Sequence, residues 1–299
     1  MTDRNKSNWI ADAALLASAM MWGINIPVVK FATQEMEPLV FNASRILFST
    51  IALGVLAWIE LKTRSKIPAK IDWGRVLLFS ALSGLFYALL FMFGIKQTTA
   101  ANAALLMATM PMWTAFLSRF ILGERLRQIT WIGLAITIAG TLIVITAKGQ
   151  LDFSAGRMVG NLLILGAAFT WALATVVSRP LMESVGPLRL AFVSCALTLP
   201  IHWIIVGLLY QVEWTQFTHS STITSILYSG LLSTGLAYAT WNFGVQRLGG
   251  SHASVYQNIV TLVAVLGGWV ALHETPLVAQ VVGGILMIVG LLTMRRGRD

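Results

Sequence analysis

The sequence predicts an all-α integral membrane protein of ten transmembrane helices, arranged as two inverted five-helix repeats (5+5) with both termini cytoplasmic. Three observations predict it: a composition suited to lipid, a succession of apolar runs of one length, and an internal repeat whose two copies carry opposite charge bias. Of 299 residues, 57% are hydrophobic and 11% charged, far from the usage of soluble domains. A bilayer core about 30 Å thick takes roughly 20 apolar residues per helix. Runs of that size recur along the whole chain, so no sizeable soluble domain fits between them.

The spans fall near 10–30, 39–60, 74–95, 100–121, 130–147, 158–180, 189–210, 223–245, 252–272 and 278–294. Pro38, Pro187 and Pro276 stand at or just before span starts, where a missing backbone N–H costs nothing, and Gly149 and Gly249–Gly250 mark breaks. Arg4 and Lys6 precede the apolar stretch from Ile10 to Val29 as they would in a signal peptide. Trp22, Asn25 and Pro27 interrupt that stretch, so it is expected to be retained.

Orientation follows from the Lys and Arg, which cytoplasmic loops retain. With the N-terminus inside, 16 of the 21 basic residues fall inside; Lys30, Arg45, Lys96, Lys148 and Arg157 are counted outside. The net charge of +9 is thus a matter of topology. No basic groove with interleaved aromatics is present, which excludes nucleic acid as a partner. Trp9, Trp58, Trp73 and Trp214 lie near span ends, where interfacial anchors belong. The single cysteine, Cys195, forms no intrachain disulfide and reads as a small packing residue.

The two copies are residues 1–150 and 151–299. Trp22 matches Trp171 and Lys30 matches Arg179 at an offset of 149, while Gly133 matches Gly283 and Gly140 matches Gly290 at 150. Five spans per copy is an odd number, so the second copy runs through the bilayer upside down. The loops agree: residues 62–75 hold five basic residues, and the equivalent 211–222 hold none. Two such bundles meeting at the midplane have the geometry of a carrier working by alternating access.

Several local motifs resemble the drug/metabolite transporter superfamily, in particular its EamA-type ten-span carriers. They are W-G-I-N-I-P-V-V-K (Trp22 to Lys30), A-N-A-A-L-L (Ala101 to Leu106) and L-G-E-R-L (Leu122 to Leu126), with echoes at Trp171, Ser251 to Ser254 and His273-Glu274. The resemblance covers nearly the whole chain and is nearest to YddG-type exporters of aromatic amino acids. It implies a secondary transporter of the bacterial inner membrane that moves aromatic and other neutral amino acids outward. The echo H-E-T-P departs from the more usual G-E of the family, a loop difference.

Polar and aromatic side chains deep in spans are costly against lipid and face a cavity or another helix. Span eight aligns Thr234, Tyr238, Trp241 and Asn242 on one face. Span nine offers His252, Tyr256 and Gln257, with Asn258 and Thr261 turned partly away; spans one and six offer Trp22, Asn25, Trp171 and Thr175; spans three and four add Tyr87, Asn102 and Met107. Together these are the candidate substrate-binding residues, walls suited to a planar, partly apolar solute. For each one, interhelix hydrogen bonding is the competing role. Pro27 and Pro111, each within a span, are candidate hinges, with a static kink as the alternative. Gly133 with Gly140, and Gly283 with Gly290, stand seven apart, which favours close helix packing.

Asp12, Glu60, Glu124 and Glu274 all lie near span ends, which favours a facilitator or exchanger over a proton-coupled exporter, with His252 the candidate for proton linkage. His202, alone in an apolar span, reads as a hydrogen-bonded packing residue. An intramembrane enzyme would require a nucleophile beside a base or a metal cluster, and neither G-x-S-x-G nor H-E-x-x-H is present. No catalytic residue, metal site or cofactor is expected. The expected partners are the bilayer and an amino acid-like solute, with no obligate protein partner and a monomeric state. A membrane scaffold is the remaining class, and it has no need of polar faces converging from both copies.

Overall fold

The computed structural model describes residues 3–63, 71–121, 123, 127–146, 156–212, 214–248 and 256–296, and among them it is all helical. Candidate residues His252 and Glu124 lie outside the described residues. The helices are α1 (Asp3–Glu35), α2 (Pro38–Thr63), α3 (Trp73–Gln97), α4 (Ala100–Ile121), α5 (Gln128–Thr146), α6 (Gly156–Ser184), α7 (Pro187–Leu209), α8 (220–248), α9 (Tyr256–Leu272) and α10 (Val278–Arg296). Six of them, α1 to α4, α6 and α7, are long and apolar enough to cross a membrane; apolar stretches in α5, α9 and α10 are shorter.

Local chemistry sets the ends. The Asp72 side chain accepts from Arg75 N at the start of α3, and Thr99 Oγ1 accepts from Asn102 N at the start of α4. Pro187 occupies the first turn of α7, behind Gly186 at φ 92°, a left-handed conformation that glycine tolerates. Pro180 and Pro200 also stand inside helices, so a proline within a span does not by itself mark a hinge.

Large apolar side chains face outward over much of the surface: Leu208 is 79% exposed and Val270 74%, and Trp9, Trp58, Trp73 and Trp214 are all exposed. In water such a surface would aggregate; against acyl chains it carries no penalty. The interior packs large apolar side chains such as Phe41, Leu106 and Ile164 together with small and polar groups, with Ser18, Asn42, Thr109 and Thr137 among the fully buried residues.

The main helix contacts are α1 with α8 and α9, α2 with α7 and α8, α3 with α6 and α7, α4 with α6 and α9, and α5 with α10. This pattern maps onto itself when α1–α5 are exchanged with α6–α10. The α5–α10 contact is reciprocal at atomic level. A Cβ placed on Gly133 would stand 2.5 Å from Gly290 O, one on Gly140 2.6 Å from Gly283 O, and the reverse pairs would each stand at 2.7 Å. The two helices run antiparallel, backbone on backbone, and only glycine permits that approach.

Candidate functional site

The helices enclose a central cavity of about 490 Å³, within the size range of small-molecule sites. Trp22 and Asn25 reach it from α1, Tyr87 from α3, Met107 and Pro111 from α4, and Trp171 and Thr175 from α6. Tyr238, Trp241 and Asn242 reach it from α8, and Gln257 from α9. Thr261, which the sequence pattern turns partly away, lines it as well.

The aromatic wall is built from matched pairs. Trp22 packs on Trp241 with ring centroids 5.1 Å apart, and Trp171 on Tyr87 at 4.9 Å. Each of the two tryptophans that match at 149 thus leans on an aromatic residue from the other side of residue 150. Trp22 Nε1 donates to Ser233 O at 2.8 Å, which fixes the indole in place. Thr175 Oγ1 bonds back to Trp171 O and Asn242 Nδ2 to Tyr238 O, each one turn earlier. Asn25 Oδ1 is buried and meets no donor among the described residues.

Three candidates stand elsewhere. Asn102 does not line the cavity: its Nδ2 donates to Asn161 Oδ1 at 3.2 Å, and its Oδ1 accepts from Gln280 Nε2 at 2.6 Å. Tyr256 donates its hydroxyl proton to Asp12 Oδ1 at 2.8 Å. Pro27 packs against Gly267 of α9, where its ring leaves no room for a side chain. For Asn102 and Tyr256 the interhelix role takes the side chain, because its partner lies on a distant helix that one span's periodicity does not reveal.

The structure adds polar groups absent from the helical-face reading. Ser83, Ser194, Thr198 and Ser233 line the cavity, and Ser83 Oγ sits 3.0 Å from Ser194 Oγ. Both stretches that present these serines on α3 and α8 are wider than a regular helix: Ala81–Phe86 and Tyr228–Leu236 form i→i+5 turns, as in Tyr87 N to Leu82 O and Ala237 N to Leu232 O. Such turns rotate the side chains off i, i+4 spacing and free carbonyls, and they cluster at functional sites.

Arg45 lines the cavity too. It and Lys30, which the charge pattern places on the outside, both have their side chains drawn into the bundle. Arg45 Nε donates to Asn42 Oδ1 at 3.0 Å. That bond orients the Asn42 amide so that Nδ2 donates to His202 Nδ1 at 3.3 Å, and His202 Nε2 in turn donates to Gly84 O at 2.9 Å. Because arginine can only donate and a carbonyl can only accept, this chain makes His202 neutral with its proton on Nε2. His202 is 2% exposed, a hydrogen-bonded interior residue as its setting in an apolar span implies.

At the far end of the bundle, beyond the residues that line the cavity, stands a polar cluster. Lys30 Nζ donates to Ile95 O and Lys96 O, both at 3.0 Å. Thr98 and Asn102 meet on Asn161, and Glu274 Oε2 accepts from Ala100 N at 2.7 Å. Glu274 follows His273, whose φ of 56° turns the chain back under α9. Burial pushes the Glu274 carboxyl above the usual carboxylate range, against the backbone N–H groups of Ala100 and Ala101 and the charges of Lys30 and Arg157. Toward the other end the cavity lining continues through Phe79 and Met182.

Residues 9–146 and 158–296 each match the EamA-like transporter family. The uncharacterized transporter YoaV of Bacillus subtilis is 25% identical over 93% of this chain and 94% of its own length. A protein of Salmonella typhimurium named a probable amino-acid metabolite efflux pump is 27% identical over 92% of this chain and 91% of its own. A solved structure described only as the crystal structure of a protein superposes with a TM-score of 0.65 at 20% identity, covering 97% of this chain and 96% of that one, a likeness of fold. The chain belongs to the EamA-like transporter family: it is a membrane transporter of small molecules, not an enzyme.

Proposed function

We propose that the protein carries amino acid-like solutes, aromatic and other neutral ones first, outward across a bacterial inner membrane by alternating access through the central cavity. The observation that carries this reading is the cavity wall: two aromatic pairs supply apolar area, while sparse amide and hydroxyl groups fix orientation. Trp22, Asn25, Tyr87, Met107, Trp171, Thr175, Tyr238, Trp241, Asn242 and Gln257 are the proposed solute contacts, and Pro111 the proposed hinge at the cavity edge. The efflux function named for the Salmonella relative supports the solute class and the direction.

In this reading the ten helices are ten spans, residues 1–150 and 151–299 are inverted copies, both termini are cytoplasmic and the protein works as a monomer. The exchange symmetry of the contacts and the reciprocal α5–α10 seam support the inversion. With the cytoplasmic side read from charge, the Lys30–Glu274 cluster lies on the outer side of the bundle and Phe79 and Met182, which line the cavity, toward the inner side. Among the described residues no Asp or Glu lines the cavity, which supports facilitated or exchange transport over proton coupling.

The test is counterflow of labelled tryptophan, phenylalanine, tyrosine, threonine and methionine into liposomes holding only this protein. Saturable uptake of at least the aromatic members is expected, unchanged when the proton gradient is collapsed. No uptake of any of the five would remove the amino acid assignment, and strict gradient dependence would remove the facilitator.

A further inference from the structure

We infer that Arg45 is the carboxylate anchor of the cavity, so that the solute must present an organic acid group beside its apolar part. This rests on the cavity being the solute site proposed above. Arg45 is the eighth residue of α2, about 10 Å along the helix axis from its start. A guanidinium at such depth is expensive unless an anion or several acceptors meet it.

The neighbours of Arg45 supply neither in full. Its Nε is held by Asn42 Oδ1, and its NH1 reaches Ser229 Oγ only at 3.5 Å, a long bond. No carboxylate of the described residues lies within 4.0 Å of it. Tyr87 and Cys195, which line the same cavity, carry no negative charge in their ordinary protonated forms. His202, at the end of the Asn42 chain, is neutral as well, and its buried link to Gly84 O pins the guanidinium through Asn42. What remains is a positively charged planar fork, oriented from behind and bordering a cavity with no negative side chain among the described residues. A carboxylate matches that fork with two parallel N–H···O bonds.

Position 45 has no basic equivalent: at an offset of 149 it corresponds to Ser194, which also lines the cavity. The aromatic wall is duplicated and the cation is not. One acid group is therefore taken from one side, and the solute is held in one orientation.

The test compares four probes on the full-length protein in detergent, by ligand-induced shift of the thermal midpoint: phenylalanine, 3-phenylpropionate, phenylalaninamide and phenethylamine. The two acids are expected to bind at least tenfold more tightly than the amide and the amine. Arg45→Gln is expected to weaken the acids tenfold or more and leave the amide unchanged; Arg45→Lys, which keeps charge without the fork, falls between. Equal binding of acid and amide by the unaltered protein, acid binding unaffected in either variant, or no binding of any probe would each overturn the anchor. If 3-phenylpropionate binds through Arg45 while no amino acid passes in counterflow, the solute assignment fails and the anchor stands. If phenylalanine is carried equally by the unaltered protein and Arg45→Gln, the reverse holds.

Discussion

Two basic side chains are drawn into the interior of this bundle, and their surroundings differ in kind. Lys30 is 9% exposed, and its ammonium donates to the carbonyls of Ile95 and Lys96 at the end of α3, in the field of Glu274. Arg45 donates firmly to a single side chain and borders an open volume. The first charge is consumed by the fold; the second is left over for something else. A cation buried in a membrane protein is therefore informative only once its acceptors have been named.

The largest expected effect separates the two directly. Lys30→Met leaves the carbonyls of Ile95 and Lys96 without their donor and takes one of two cations from Glu274, a cost of about 3 kcal/mol. The thermal midpoint in detergent should fall by several degrees, while the preference for acid over amide probes persists. Arg45→Met removes a buried charge with no carboxylate partner, so its midpoint should be unchanged or higher while that preference disappears. Equal melting of the two variants would erase the distinction.

A subtler probe is Glu274→Gln. Because burial raises the carboxyl pKa, the folded protein binds this proton more tightly than the unfolded chain does, so the contribution of Glu274 to stability falls as pH rises through its folded pKa. The midpoint of Glu274→Gln relative to the unaltered protein should accordingly climb between pH 5 and pH 7.5. A relative midpoint that declines over that interval would mean that Lys30 and the α4 amides dominate the carboxyl instead. The smallest effect is His273→Gly, which relieves a left-handed residue and should raise the midpoint by the equivalent of about 1 kcal/mol.

The helices and the aromatic wall are legible in the sequence because 3.6-residue periodicity and apolar run length are local properties. Trp22, Trp171, Tyr238 and Trp241 declare themselves in that way. Asn102 and Tyr256 do not, since their partners lie 178 and 244 residues away, in Gln280 and Asp12. Ser83 and Ser233 escape because the i→i+5 turns break the spacing that face-reading relies on. Arg45 was visible in principle: it stands well inside the apolar run 39–60, where an arginine has no business as a loop marker. Sorting basic residues by side of the membrane hides it, since that tally asks where a charge falls and never how deep.

The glycine seam between α5 and α10 has a mechanical consequence. With carbonyl against Cα at four positions, the two backbones touch directly, and a slide of one along the other would drive Thr137 or Met287 into a main chain. The pair is thus obliged to travel as a single strut, and any rearrangement that re-exposes the chamber has to be accommodated at the crossings of the other eight helices.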